Sequence, residues 1–264
     1  MDLIALSKQV ENAAITTGKF IQGEIQKLTS NQMETKSLNS LVSYVDKTAE
    51  EQLVAALGQL VPEAGFVAEE GTSTKKGERY NWIIDPLDGT TNFIHGLPMY
   101  SVSIALQQDN NIVIGVVYLP ELNECFTAVQ GQGTRLNEKL IHVSQAPTLA
   151  DSLIATGFPY YDYERMDAYT EVLKALMQQT RGIRRMGSAA IDLAYVACGR
   201  FDSFYEYNLN AWDVAAGSLL VTEAGGLVND FKMNNNFIFG REILASNPHI
   251  HANMGKLLNQ LFNE

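Results

Sequence analysis

The sequence predicts a layered α+β or α/β protein, because three regions of the chain carry different hydrophobic patterns. Residues 3–28 place apolar side chains at helical spacing, residues 99–129 alternate as β-strands do, and the chain beyond 148 alternates between helices and strands. Such mixtures pack as layers of helices and sheets. From the 264 residues we predict a single domain, with an α+β half at about 1–145 and an α/β half at about 146–264.

The first half is predicted to contain helices at 3–28 and 46–60 and strands at 36–45, 65–68, 82–84, 100–106, 112–118 and 124–129. The strands are short apolar or alternating runs bounded by turn residues. Asp46 stands where the second helix should begin, which is the position of an N-cap residue. Pro86 should end the strand at 82–84, because proline has no N–H to donate to a sheet.

The second half is predicted to contain helices at 163–178, 187–198, 211–224 and 248–261 and strands at 183–185, 202–206, 227–230 and 243–246. Gly225 and Gly226 should end the third of these helices, and Pro248 suits the first turn of the last. His249 and His251 therefore belong to a helix start and are not expected to bind zinc.

Composition excludes several classes of function. The net charge of −11 argues against the usual basic surface of nucleic-acid-binding proteins. The two cysteines are far apart among apolar neighbours, so we expect buried thiols and no disulfide. Because no apolar run approaches the length of a membrane span and the N-terminus lacks a signal pattern, we expect a cytoplasmic protein without membrane contact.

The most informative segment is 82–93, where an apolar strand runs into Asp85-Pro-Leu-Asp88-Gly89-Thr-Thr. The glycine lets the backbone approach a ligand, and the following N–H groups can cradle an anion. Two carboxylates beside an anion site would repel a bare phosphate, but they could hold divalent metals that contact phosphate oxygens. The alternative is an ordinary surface turn, in which Asp, Pro and Gly are common.

Further carboxylates occur at predicted element ends. Glu69 follows a short strand, Glu206 ends another, and Asp213 opens a helix, where the alternative is an N-cap stabilised by the helix dipole. Motifs of covalent catalysis are absent, because the chain has no Cys-x5-Arg, Gly-x-Ser-x-Gly or P-loop pattern. Chemistry by metal-activated water is therefore favoured.

Two long motifs, at 82–93 and 212–226, resemble the inositol monophosphatase family of magnesium-dependent, lithium-sensitive phosphatases. Shorter matching segments lie at 45–46, 66–70, 155–159 and 187–190. The resemblance implies a layered αβαβα sandwich of the sugar-phosphatase type, commonly a homodimer, with two to three Mg²⁺ ions per active site. It further implies a small phosphorylated polyol substrate, with hydrolysis of inositol monophosphate to inositol and phosphate.

The resemblance also implies the metal ligands. Glu69, Asp85 and the Leu87 carbonyl are expected to hold one magnesium ion, and Asp85, Asp88 and Asp213 a second. Glu69 is expected to help hold a third, weaker ion and so to take part in catalysis.

The remaining implied roles concern water and substrate. Thr90, hydrogen-bonded to Asp46, is expected to orient the attacking water, and the amides of Gly89 and Thr90 to receive phosphate oxygens. The residues expected to bind substrate hydroxyls are Glu206, Gly187, Ser188 and Ala189. Lys36 matches a basic residue near the entrance loop. The chain departs from the family at 40–43, which reads Ser-Leu-Val-Ser, and at Ser188, where Thr is frequent.

Two alternatives stay open. The substrate could be fructose 1,6-bisphosphate, histidinol phosphate or a nucleotide 3′-phosphate, because a carboxylate discriminates weakly among polyols. Some bacterial relatives bind transcription machinery, and the cluster Arg181-Gly-Ile-Arg184-Arg185 could bind RNA or polymerase. Surface or interface charge is the more ordinary interpretation of that cluster.

Overall fold

The computed structural model describes residues 1–25, 27, 33–37, 40–159 and 163–262, without the side chains of 33–37 and 40–43. Lys36 and the departure at 40–43 therefore lie outside the described side chains. The helices in this part are α1 (Leu3–Glu24), α2 (Tyr44–Leu60), α3 (Thr90–Ile94), α4 (Met166–Gln179), α5 (Ala189–Ala197), α6 (Ala211–Glu223) and α7 (Pro248–Phe262).

The strands form two larger sheets and one hairpin. Their bounds are β1 (Met33–Ser37), β2 (Ser40–Ser43), β3 (Gly65–Ala68), β4 (Tyr80–Asp88), β5 (Ser101–Gln108), β6 (Asn111–Leu119), β7 (Glu124–Val129), β8 (Thr134–Leu136), β9 (Lys139–Ile141), β10 (Leu153–Thr156), β11 (Gly182–Arg184), β12 (Ser203–Tyr207), β13 (Leu227–Asn229) and β14 (Glu242–Ser246).

The first sheet has seven strands in the order β3-β4-β5-β6-β7-β8-β9, antiparallel except for the parallel pair β3–β4. The second has five strands in the order β11-β10-β12-β14-β13, in which β10 pairs in parallel with both neighbours. The hairpin β1–β2 stands apart from both.

Three apolar cores lie between five layers of helices and sheets, and the central core contacts both larger sheets. Trp82 and Ile84 of β4 enter a core with α1 and α2, whereas Ile83 enters a core with α5 and α6. Phe204 of β12 enters that same central core, and its neighbour Tyr205 enters a third core with α4 and α7. Because neighbouring strand residues face opposite sides, the order is helices, sheet, helices, sheet, helices. The predicted αβαβα sandwich is confirmed.

The central helices pack closely because small residues lie at their contacts. A Cβ atom on Gly115 of β6 would lie 2.7 Å from the carbonyl oxygen of Ala216 in α6. A Cβ on Gly217 of α6 would overlap the Leu193 side chain of α5. Glycine at these points lets α6 lie against both the first sheet and α5.

Two local expectations are wrong. The strand at 82–84 does not end at Pro86, because β4 continues to Asp88 through an irregularity in its pairing with β5 that needs no proline N–H. Asp46 is not an N-cap, because α2 begins at Tyr44 and places Asp46 inside its first turn. The short elements α3, β8, β9 and β10 were not predicted.

The Gly115 contact can be tested by a single methyl group. Gly115→Ala should destabilise the protein by about 1–3 kcal/mol, because the added carbon meets the rigid backbone of α6. Urea unfolding measures this change. Gly23→Ala in α1 is the control, since a Cβ there meets no atom within 4 Å. Equal stability of Gly115→Ala and wild type would contradict the proposed close packing.

Candidate active site

The predicted functional residues converge on one pocket, at the ends of β3, β4 and β12 and the beginnings of α5 and α6. Of the predicted residues with described side chains, Asp46 alone is missing from its wall. The predicted residues that line it are Glu69, Asp85, Leu87, Asp88, Gly89, Thr90, Gly187, Ser188, Ala189, Glu206 and Asp213.

The end of β4 presents two carboxylates to this pocket. Asp85 pairs with Ser103 and Asp88 with Ser101, so β4 holds one more residue here than β5 and forms a bulge. Asp85 is 2% exposed, and its Oδ1 accepts a hydrogen bond from the Leu87 N–H at 2.9 Å. The bulge thus places both aspartates at the pocket despite their spacing of three residues.

The turn after β4 requires glycine. Gly89 has φ of +95°, and a Cβ there would lie 2.9 Å from the Met99 carbonyl oxygen. Thr90 follows as the first residue of α3, with its Oγ1 2.9 Å from Asp46 Oδ1 and 3.0 Å from the Leu87 oxygen. One hydroxyl proton can serve only one of these acceptors. Asp46 is 1% exposed and therefore supports Thr90 from behind the pocket wall.

The start of α5 holds Asp88. The Ser188 hydroxyl donates to Asp88 Oδ2 at 2.6 Å, and the Ala190 N–H donates to the same oxygen at 2.7 Å. Ser188 is also the N-cap of α5, because its Oγ accepts from the Ile191 N–H. The Ser188 proton is therefore used within the protein, its oxygen accepts from the Ile191 N–H, and the Ser101 hydroxyl lies within hydrogen-bond distance at 3.3 Å.

Asp213 and Glu206 also line the pocket. Asp213 Oδ2 accepts from the Asn210 N–H at 2.6 Å, which ties the carboxylate to the first turn of α6. Asp213 thus stands three residues after Asn210, which is the N-cap, and is not the cap itself. The Glu206 carboxylate lies directly over Gly157, where a Cβ atom would overlap it. Glu206 therefore needs glycine at position 157 to occupy this place.

Comparison with known proteins now identifies the family, because the profile of the inositol monophosphatase family matches residues 3–263. The chain belongs to the inositol monophosphatase family. The putative Nus factor SuhB of Neisseria meningitidis serogroup B is 42% identical over 248 residues, covering 94% of this chain and 95% of that protein. An inositol-1-monophosphatase of Mesorhizobium japonicum is 37% identical over 257 residues, covering 97% of each.

A solved structure gives the same result for the fold. The extragenic suppressor protein SuhB from Bartonella henselae superposes with a TM-score of 0.91 at 40% identity, covering 97% of this chain and 99% of that one. The resemblance drawn from the sequence motifs is therefore confirmed, and membership in the inositol monophosphatase family supports a phosphatase. None of the helices that the structure describes is both long enough and apolar enough to cross a bilayer.

Burial and mutual repulsion dominate the electrostatics of the pocket. Burial raises the pKa of Asp85, and the nearby Glu69, Asp88 and Asp213 raise it further. Burial raises the pKa of Asp88 to about 6, although the donors Ser188 and Ala190 oppose the change. The pKa of Asp213 is raised by burial and then by Asp88. A cation among these groups would favour their ionised forms.

The chemical types of the donor atoms in the pocket suit a hard cation. Carboxylates and a carbonyl are the oxygen ligands that magnesium and calcium prefer. Among the side chains that the structure describes, however, no three from His, Cys, Asp or Glu are grouped closely enough to hold one ion together. A set of three carboxylates around one ion would therefore require side-chain movement, whereas the set of Glu69, Asp85 and the Leu87 carbonyl contains only two carboxylates.

Asp192, Asn208 and Arg185 are among the pocket residues that were not predicted from the sequence. Asp192 is 1% exposed, its Oδ1 has no hydrogen-bond partner, and burial followed by repulsion from Glu206 raises its pKa. Asn208 Oδ1 accepts from Arg241, and its buried Nδ2 has no partner. Arg185 also lines the pocket and lowers the pKa of Glu206 against the stronger effect of burial. None belongs to a local motif that marks a site.

The structure divides the arginine cluster of 181–185. Arg185 lines the active-site pocket, whereas Arg181 and Arg184 line a separate open groove. In that groove Arg181 pairs with Asp151 at 3.0 Å. The three arginines therefore do not form one basic patch.

The buried Asp192 carboxyl predicts how stability changes with pH in metal-free protein. Above about pH 4 an unfolded aspartate loses its proton, whereas native Asp192 resists ionisation because its pKa is raised. Its burial therefore destabilises the native state increasingly as pH rises. Asp192→Asn cannot ionise, so its stability relative to wild type should increase with pH in urea unfolding with a chelator present. A relative stability that falls with pH would contradict the raised pKa.

Proposed function

We propose that this protein is a magnesium-dependent phosphomonoesterase that hydrolyses inositol monophosphate to inositol and phosphate. The observation that carries the proposal is the gathering of Glu69, Asp85, Asp88 and Asp213 in one pocket beside Gly89. These carboxylates would repel a phosphate ester unless cations lay between them and the substrate. Family membership supports the phosphatase class.

In this proposal the carboxylates hold two to three ions. Glu69, Asp85 and the Leu87 carbonyl would hold the first, Asp85, Asp88 and Asp213 would hold the second, and Glu69 would help hold a weaker third. When bound, magnesium supplies an activated water nucleophile and neutralises the charge on the phosphoryl group. Asp85 would be the shared ligand, which is supported by the effect of the Glu69, Asp88 and Asp213 charges on its pKa.

The protein's own groups position the reactants. The Gly89 and Thr90 N–H groups receive phosphate oxygens, since the first N–H groups of a helix have no partner within it. Thr90 directs its proton to Asp46 and a lone pair to the attacking water, which the 2.9 Å contact between Thr90 and Asp46 supports. Phosphoryl transfer depends mainly on such positioning.

The substrate's hydroxyl groups meet protein acceptors in the same pocket. Glu206 is 6% exposed and receives these hydroxyls together with the turn formed by Gly187, Ser188 and Ala189. A hydroxyl bound to a buried carboxylate is a strong interaction. This arrangement favours a polyol phosphate over an ester without ring hydroxyls.

Phosphate release across a substrate panel tests the proposal. With magnesium, inositol 1-phosphate should give a higher kcat/KM than fructose 1,6-bisphosphate, histidinol phosphate or adenosine 3′,5′-bisphosphate. Asp85→Asn should retain less than about a tenth of wild-type turnover at saturating magnesium, because metal ions supply several kcal/mol of stabilisation. Asp167→Asn, on the exposed surface of α4, is the matched control. Preference for another compound of the panel would overturn inositol monophosphate as the proposed substrate. No phosphate release from any compound would overturn the proposed phosphomonoesterase function.

A double-mutant cycle tests Thr90 and Asp46. Thr90→Ala should lower kcat by about 10²-fold or more, Asp46→Asn should do much the same, and the double variant should be little worse than either. The reason is that the two residues act as one unit through their hydrogen bond. If Asp46→Asn kept normal kcat while losing thermal stability, Asp46 would be a structural residue only.

A second role is favoured by the name of a relative. A protein 42% identical to this chain is named a putative Nus factor, so a role in transcription complexes could accompany the phosphatase. Separately, we infer a homodimer from the family resemblance. Arg181 and Arg184 line a groove away from the active site, which makes them the residues to substitute. Co-purification with RNA polymerase at moderate salt should weaken in an Arg181→Ala/Arg184→Ala variant that keeps its phosphatase activity. Size-exclusion chromatography tests the dimer.

A further inference from the structure

Helix α2 carries two buried carboxylates, Asp46 and Glu50, one turn apart. Asp46 is 1% exposed and Glu50 is fully buried. Residues four apart lie on the same side of a helix, so both side chains leave α2 in a similar direction. Asp46 meets Thr90 in the turn after β4, and Glu50 meets the loop that follows β3. Each carboxylate therefore contacts one of two neighbouring loops of the active site.

Glu50 is bound to its loop by three short hydrogen bonds. Its Oε2 accepts from the Glu70 N–H at 2.7 Å, and its Oε1 accepts from the Thr72 N–H at 2.7 Å and the Thr72 hydroxyl at 2.8 Å. Hydrogen bonds to an ionised acceptor are stronger than neutral ones. Three donors also compensate for the burial of the charge. Both oxygens of Glu50 are thus occupied by the protein.

These bonds fix the backbone around Glu69. The Glu70 N–H belongs to the peptide group that follows Glu69, so its bond to Glu50 sets the orientation of that group. On the other side, the Glu69 N–H donates at 3.3 Å to the carbonyl oxygen of Ile84, the residue before Asp85. The Glu69 backbone is therefore held on both sides at a set position relative to Asp85.

We propose that Glu50 is a positioning residue that holds Glu69 where it can share an ion with Asp85. The inference rests on the proposed function, since it takes Glu69 as a ligand. Glu50 itself touches neither substrate nor metal. Groups that orient metal ligands in this way affect metal affinity about 10- to 100-fold in other proteins.

Glu50→Gln is a sharp test because it keeps the size of the side chain. A Gln amide has one acceptor oxygen and one NH₂ group, and in either orientation the NH₂ faces a backbone N–H of Glu70 or Thr72. The variant should bind Mn²⁺ about tenfold or more weakly, measured by the electron paramagnetic resonance signal of free Mn²⁺. The magnesium concentration for half-maximal rate should rise, while KM for inositol 1-phosphate should not change.

Two further variants and a second measurement separate positioning from folding. Glu51→Gln, at the exposed neighbouring position, should bind Mn²⁺ as wild type does. Thr72→Val removes one donor and keeps both backbone bonds, so it should weaken binding less than Glu50→Gln and serves if that variant fails to fold. Amide hydrogen exchange at Glu70 and Thr72 should be faster in Glu50→Gln.

The outcomes distinguish the inference from the function on which it rests. Unchanged Mn²⁺ binding and unchanged exchange in Glu50→Gln, or unchanged binding in Thr72→Val if only that variant folds, would overturn the positioning role. A wild-type protein that neither binds Mn²⁺ nor releases phosphate would overturn the proposed function. In that case the exchange rates at Glu70 and Thr72 would still decide whether Glu50 fixes the loop.

Discussion

Repulsion among carboxylates that have lost much of their hydration is the constraint on which the rest of this structure depends. Burial is the largest cause of the raised pKa at Asp85, Asp88 and Asp213, and neighbouring carboxylate charges raise the pKa of Asp85 and Asp213 further. The opposing donors at Asp85 and Asp213 are close in sequence, the Leu87 N–H and the Asn210 N–H. At Asp88 they are the Ser188 hydroxyl and the Ala190 N–H, which come from a helix distant in sequence. The fold therefore brings strand ends and helix beginnings, with their donors, to one acidic pocket.

The middle layer of helices makes this arrangement possible. Asp88 comes from the first sheet, whereas its donors Ser188 and Ala190 come from the beginning of α5. A hydrogen bond of 2.6 Å between them requires the sheet and the helix layer to approach closely. Glycine at the contacts of α6 with β6 and α5 permits that approach. Packing of small residues and the geometry of the site are thus parts of one arrangement.

Periodicity and motifs predicted most of this fold and much of the pocket. Long helices and alternating strands were found because their patterns repeat, whereas α3, β8, β9 and β10 have only three to five residues each and were missed. The strand prediction was wrong at Pro86, since the bulge leaves no ladder hydrogen bond that needs an N–H at this position. The metal and substrate roles, and the division into two halves, remain predictions.

Residues outside local motifs could not be predicted in the same way. Asp192 and Asn208 look like ordinary polar residues in the sequence, and only the packing of α5 and β12 brings them to the pocket. Adjacency in the sequence was also a poor guide for Arg184 and Arg185, which face different cavities. Strand residues alternate sides, so a run of like charges need not form a surface.

The contact between Gly157 and Glu206 gives the pocket two separately adjustable parts. Gly157 follows β10 in the second sheet, whereas Asp85 and Asp88 lie on β4 in the first. The atoms nearest to a methyl group at position 157 would all belong to the Glu206 carboxylate, which it would displace. With Glu206 in the proposed hydroxyl-binding role, one small substitution just after a strand of the second sheet would alter the choice of substrate from outside the strand that carries the aspartates.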